Sequence, residues 1–387
     1  MAEAKPRLLI LSYSPIESDA RVLKQVRHFS RDYDVTTCGY GANPGSGVTH
    51  VQIPDDRTYN EHPRHLLVLR WHKRTYWRTG AVAYSAQALA RLEKFDVIIA
   101  NDIDTVGVAL SLEPRRGVHA DIHEYAPKQN EELPMWRWFI APYVRWMCRT
   151  FLTRATSMTT VGQGVANEYR RVYGITAGIA TNSAPYHPFE PSPVAEPIRV
   201  VHSGAVLRNR HLDVTVRAVI RSTAPVTLDL FLMPNDPGHL DELRELAATS
   251  KRVTIHDPLP YSALLERLNE YDLGIHVIPP TNFNNAWSLP NKFFDYVQAR
   301  LGLLIGPSPE MKDILESHDL GVAADGFDED AVTAALDALT LDDVRRWKRN
   351  ADSAAHELSA ESQIQVWDAA VRAIVDGPTP IGTTRAP

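Results

Sequence analysis

The feature that constrains this chain most is an alternation that runs twice, once on each side of a proline-rich stretch. Residues 8–12 form a short apolar run, followed by the turn SPIESDA and by RVLKQVRHFSRD, whose Val22, Val26 and Phe29 share one helical face. Further apolar runs stand at 34–38, 96–100, 117–122 and 157–161, and two of them end in polar tips, NDIDT and HE. Buried strands alternating with helices predict a parallel sheet with crossover helices. Residues 185–197, PYHPFEPSPVAEP, hold five prolines, which neither a helix nor a central strand accommodates. This stretch is predicted to be a stiff, exposed linker. Beyond it, strands are expected at 199–202, 227–232, 253–255, 273–277 and 303–305, separated by helices such as 240–248 and 261–268. Two doubly wound α/β units are therefore expected, over 1–188 and 189–360, with ligands bound at the carboxyl ends of their sheets in a facing cleft. The tail 377–387, rich in Pro, Thr and Gly, is expected to be disordered.

Composition narrows the function. A length of 387 residues suits two domains better than one. A net charge of -6 argues against a general nucleic-acid binder. Cys38 and Cys148 fit no metal spacing and cannot form a disulfide framework, which points to a reducing, cytoplasmic setting. The first apolar run, Leu8 to Leu11, is shorter than an export signal needs. No stretch approaches the ~20 apolar residues of a membrane span.

Candidate chemistry concentrates at strand ends. After the strand at 199–202 comes SGAVLRNRHLD, in which Gly204 allows close backbone approach, and Arg208 and Arg210 offer the bidentate bonds a diphosphate favours. The alternative is a solvated turn with incidental arginines. Later, Ser288 and Leu289 lead through Pro290 into a helix opened by Asn291 and Lys292. Lysine in a first turn opposes the helix dipole, and a bound phosphate would account for it. Asp295, on the same face, either accepts bonds from sugar hydroxyls, as acidic residues do with nucleotide ribose, or pairs with Lys292 on the surface. In the first half, His123 and Glu124 close the strand 117–122. A neutral imidazole there can bond a sugar or carry a proton, or it is a structural strand-end residue. Asp102 and Asp104 form a D-x-D read as helix capping or acceptor contacts, and Asp19 and Arg21 at the first helix start carry the same two readings.

Two segments are electrostatically unusual in an acidic protein. Residues 62–78 carry five Lys or Arg and no acid, and residues 135–154 carry four Arg, three Trp and no acid. Such stretches suit an anionic membrane surface or a lipid-phosphate acceptor, or else are core helices with snorkelling arginines.

In order and spacing, SGAVLRNRHLD and SLPNKFFDYVQARLGLLIG resemble the donor-binding half of the family 4 group of GT-B glycosyltransferases. ESDARVLKQVRHFSRDYDVT, ANDIDT, DIHEYAP and ATNSAP are similar to its N-terminal half, so the resemblance spans residues 7–375. It implies a GT-B fold of two Rossmann-like doubly wound domains, with a C-terminal helix at 361–376 packed back on the first. It also implies a glycosyltransferase that takes a sugar from a UDP- or GDP-type donor, with retention of configuration. The acceptor would be a sugar, or a lipid-linked or cell-envelope saccharide of polysaccharide biosynthesis. Metal and cofactor are not expected. By this resemblance Arg210 grips the donor diphosphate, Asn291 and Lys292 lie beside it, and Asp295 holds the ribose, while His123 meets the transferred sugar. The family's two glutamates eight residues apart are replaced by Trp287 and Asp295, and Ala205 stands where a basic residue is common. The first loop, SYSPIESDA, lacks the family's frequent glycines. Two alternatives share the pocket: a nucleotide-sugar epimerase, and a non-enzymatic relative that only binds the donor.

Overall fold

The structure, a computed structural model, describes residues 5–377. Apart from Gly377, the tail expected to be disordered lies outside the described residues. The chain forms two compact units, one built from residues up to Thr181 together with those from Ile364 onward, the other Asn182–Gln363.

The first unit holds seven parallel strands: β1 (Arg7–Pro15), β2 (Asp34–Tyr40), β3 (Thr49–Gln52), β4 (Val97–Asn101), β5 (Gly117–Ile122), β6 (Ser157–Thr160) and β7 (Gly178–Ile179). Their spatial order is β3-β2-β1-β4-β5-β6-β7, so the winding reverses between β1 and β4. These two run in register from Leu8↔Val97 to Leu11↔Ala100 and are buried on both faces, which is why they read as continuous apolar runs. The helix Ala20–Phe29 presents Val22, Val26 and Phe29 to this sheet. The helix Ala360–Asp376 adds Trp367, Val371 and Ile374 to the same core.

The second unit holds six: β8 (Ile198–Ala205), β9 (Val226–Met233), β10 (Val253–His256), β11 (Leu273–His276), β12 (Gly302–Ile305) and β13 (Gly321–Ala323). They are parallel and ordered β10-β9-β8-β11-β12-β13, reversing between β8 and β11. The helix Asn291–Gln298 buries Phe293, Phe294, Tyr296 and Val297. A β-carbon at Gly274 on β11 would overlap the Tyr296 ring, so glycine lets this helix lie close against the sheet and fixes where its N-terminus points.

The proline-rich stretch is exposed as expected, with none of residues 185–197 buried, but it is tied to the second unit. Arg300, fully buried, donates to the His187 carbonyl oxygen at 2.8 Å, and Lys348 donates to Ser192 Oγ at 3.1 Å. Phe189 packs on the second core. The stretch therefore belongs to the second unit, and the units divide at Thr181/Asn182 instead of 188/189. Proline forbids helix and central strand, but a chain without backbone ladders can still be tied down by side chains.

Candidate functional site

At the carboxyl end of β8 the backbone turns at Gly204, with φ +154°. A cavity of about 330 Å³ opens there. One wall is apolar, from Phe231, Met233, Pro258, Leu259 and Leu264, and the other brings Gly204 and Arg210 together with Asn291, Lys292 and Asp295. Asp295 is buried and accepts a bond from the Tyr261 hydroxyl at 3.0 Å. Among the described residues, neither Arg210 nor Lys292 has a side-chain hydrogen bond or a carboxylate within ion-pair distance. Burial, and then Arg210, lowers the Lys292 ammonium to about 8, against a partial offset from Asp295. Two unpaired, partly buried cations held together are costly unless something anionic completes them.

A second cavity, of about 210 Å³, shares Arg210, Pro290 and Lys292 with the first. Its remaining lining includes Asn209, His276, Asn285, Ser288 and Ser308, with no acidic side chain. The two cations thus stand between a cavity carrying Asp295 and one whose mixed lining has no carboxylate. Leu289, expected near the donor, is buried in the core beneath this wall.

In the first unit, the ends of β1 and β4 and the residues after β5 enclose a small polar cavity. It is lined by Ser12, Tyr13, Ser14, Tyr59, Asn101, Asp102, Asp104, Glu124 and others. His123 lies beside it, with Nδ1 3.2 Å from Asp102 and Nε2 3.5 Å from Asp121. Burial opposes the imidazolium, but these two carboxylates outweigh it and raise His123 to about 10. The two carboxylates thus favour the imidazolium over the neutral imidazole considered from the sequence. Burial, then Asp102, pushes Asp104 up to about 7. Burial, then Asp102, does the same to Glu124, against His123. Carboxyls in that range can hold or take a proton at neutral pH.

No family model matches the sequence, and no curated protein aligns with it. Solved structures do match. HepE from Anabaena, in complex with UDP, superposes with a TM-score of 0.70 at 11% identity, covering 95% of this chain and 100% of that one. Sucrose-phosphate synthase from Thermosynechococcus elongatus gives 0.70 at 11%, covering 97% and 100%. The α,α-trehalose 6-phosphate synthase of Burkholderia multivorans gives 0.67 at 11%, covering 96% and 99%. The chain has the GT-B fold.

Within this GT-B protein several expected site residues lie elsewhere. Arg208 is exposed and bonded bidentately to Glu242 at 2.8 and 2.9 Å, lining a separate concavity away from Lys292. Arg21 is buried, with Nη2 2.7 Å and Nε 2.8 Å from the Asp121 carboxylate and Nη1 2.8 Å from the Ala180 carbonyl oxygen. It is a core ion pair and not an acceptor contact. Asp19 caps its helix, accepting from the amides of Arg21 and Val22. Asp102 does not cap the helix Ile103–Ser111; its side chain turns to His123 instead, from a backbone at φ +63°. Sequence reasoning missed the apolar wall, whose Phe231, Leu259 and Leu264 read as ordinary core, and both histidines of the second sheet, His202 and His276.

The basic, aromatic segments of the GT-B first unit are mixed. Arg70, Lys73, Arg74, Arg78, Arg137, Arg145 and Arg149 are all exposed. Trp71 and Trp138 are exposed as well, with Val68, Leu69, Leu133 and Met135. The helix Arg64–Val68 adjoins Trp136–Ile140, which brings these groups onto neighbouring elements. Trp77, Trp136 and Trp146 are partly buried. Among the described residues no helix is long and apolar enough to cross a membrane.

Proposed function

We propose that this chain is a glycosyltransferase that takes a sugar from a nucleoside-diphosphate sugar, UDP being the first nucleotide to try. The observation that carries the reading is the pair Arg210 and Lys292, two cations without a carboxylate partner at a parallel-sheet switch point beside Gly204. Open α/β sheets bind ligands at that place. On this reading the apolar wall and Asp295 take the nucleoside, with Asp295 accepting from ribose hydroxyls. Arg210 and Lys292 take the diphosphate and stabilise the charge that grows on it as the glycosidic bond breaks. The carboxylate-free cavity beyond them takes the sugar. HepE was solved with UDP, and that neighbour supports the choice of nucleotide.

The acceptor hydroxyl belongs to the first unit's polar cavity. There Glu124, titrating near neutrality, accepts the acceptor's proton, with the His123 imidazolium beside it. Asp104 shares that environment. A lipid-linked or cell-envelope acceptor fits the exposed basic, aromatic surface, which would hold the protein at an anionic membrane face. Retention of anomeric configuration follows from the family resemblance.

Incubation with UDP-sugars and GDP-sugars, with and without sugar acceptors, tests the proposal. Acceptor-dependent nucleotide release and a glycoside product are expected, with the anomer read by NMR. Interconversion of the donor without acceptor would make it an epimerase, and donor binding without turnover a non-enzymatic relative.

A further inference from the structure

His202 and His276 stand near the carboxyl ends of β8 and β11, the strands between which the winding reverses. Their rings are stacked, with centroids 6.2 Å apart and planes 2° from parallel. His202 Nδ1 lies 2.9 Å from the Ile275 carbonyl oxygen. A carbonyl only accepts, so Nδ1 carries the hydrogen and Nε2 is left with a lone pair. That Nε2 is 3.6 Å from the β-carbon position of Gly204, and Lys292 Nζ is 2.8 Å from the same point. That nitrogen is itself buried without a hydrogen-bond partner, in the field of the Lys292 ammonium.

His276 stands across the stack from His202. It lines the cavity shared by Arg210, Lys292 and Ser288, and its Nδ1 is buried without a hydrogen-bond partner. A buried polar atom with no partner is uncommon and costly unless a ligand or water meets the group. The charged and titratable groups facing it are Lys292, His202 and Arg210; Asp295 acts on Lys292. With only cations and a neutral ring around it, His276 sits well below the ordinary imidazole range, first through burial and then through Lys292, His202 and Arg210.

We propose that His276 is a third binding group of the anion site, joining Arg210 and Lys292 as an imidazolium when a diphosphate is bound. The inference rests on the reading of those two cations as phosphate-binding. A terminal phosphate alone carries about -1.5 to -2 charges near neutral pH, so a diphosphate exceeds what two cations neutralise. The surplus favours the protonated ring. By linkage, binding then takes up a proton, and affinity rises as pH falls toward the imidazolium's range.

Calorimetry at pH 7 in buffers of different ionisation enthalpy counts that proton, using inorganic pyrophosphate and UDP with the full chain. Lys292, at about 8, is already about nine-tenths protonated at this pH and contributes only about a tenth of a proton. His276→Gln keeps a hydrogen-bonding group that does not titrate, and the ligand and Lys292 contribute equally to both proteins. The expected result is clear uptake in wild type, loss of most of it in His276→Gln, and affinity about 10- to 100-fold weaker in His276→Ala. Equal proton counts in wild type and His276→Gln would overturn the proposal. If the variants do not fold, wild-type uptake of a tenth of a proton or less with UDP, whose terminal phosphate is already largely ionised at pH 7, overturns it. Pyrophosphate binding with His276-dependent uptake, but no UDP binding, would keep this proposal and defeat the nucleotide reading. Binding of neither ligand defeats both.

Discussion

Lys292 stands over Gly204, its Nζ 2.8 Å from the point a β-carbon would occupy. The glycine is therefore the space in which the ammonium sits, as well as a backbone position with positive φ. Gly204→Ala should displace the ammonium and weaken UDP binding about tenfold or more, in line with loss of a charged hydrogen bond. In a double-mutant cycle with Lys292→Ala the two losses should overlap. Fully additive losses in calorimetry would mean the two residues act on the ligand separately.

Arg210→Ala and Lys292→Ala should each cost UDP affinity by roughly 10- to 150-fold, the equivalent of about 1.5–3 kcal/mol, with thermal unfolding little changed. Wild-type affinity in both variants would remove the diphosphate from this place.

The lysine also sets a pH limit. Its charged form binds the diphosphate, and without a bound anion that form is lost as pH rises through about 8. UDP affinity should fall more steeply with pH above that point than below it, because binding must then recruit a proton at Lys292 as well. Lys292→Arg, which stays charged, should remove that added steepness above about pH 8. A wild-type profile already flat to pH 9.5 would rule out Lys292 as a ligand.

Asp295 should separate nucleoside from diphosphate. Asp295→Asn is expected to weaken UDP while leaving inorganic pyrophosphate nearly unaffected, since the carboxylate faces the half-apolar cavity. Equal losses for both ligands would point to a disturbed helix instead.

For Arg21, the expected effect is on stability. Arg21→Ala leaves Asp121 buried beside fewer donors, and breaking a buried pair in this way costs about 3–5 kcal/mol. Chemical denaturation reads it directly. A variant as stable as wild type but inactive would return Arg21 to the list of acceptor contacts.

The exposed surface makes a separate test. Co-sedimentation with anionic vesicles, but not zwitterionic ones, is expected at low salt and should fade as salt rises, since each basic residue at such a surface contributes about 1 kcal/mol within a Debye length. Reversing Lys73, Arg74 and Arg78 to Glu should abolish it with UDP affinity intact. Absence of binding at low salt would favour a soluble acceptor.

The strands buried on both faces were legible because nothing but an apolar run can occupy them. β3, β7 and β13 were not: they are short edge strands, partly exposed, and carry no periodic signal. Lys292 announced itself by opposing the helix dipole, and Gly204 by following a strand. Arg208 and Arg210 could not be told apart, because the difference is made by Glu242, far along the chain. His202 and His276 looked like single polar residues in apolar strands. Only the reversal of winding, which sets β8 beside β11, makes them a pair. The charge of His123 likewise depends on Asp102 and Asp121 arriving from β4 and β5 together.

Arg210, Pro290 and Lys292 form a partition, with one cavity on either side. If the donor spans it, cleavage frees only the half beyond the partition, and the spent nucleotide keeps the apolar wall, Asp295 and both cations. The molecule that has just reacted is then nearly as good a ligand as the one that must replace it. Departure of the nucleotide should be the slow exit in each cycle, and UDP should inhibit competitively against fresh donor while the free sugar hardly competes.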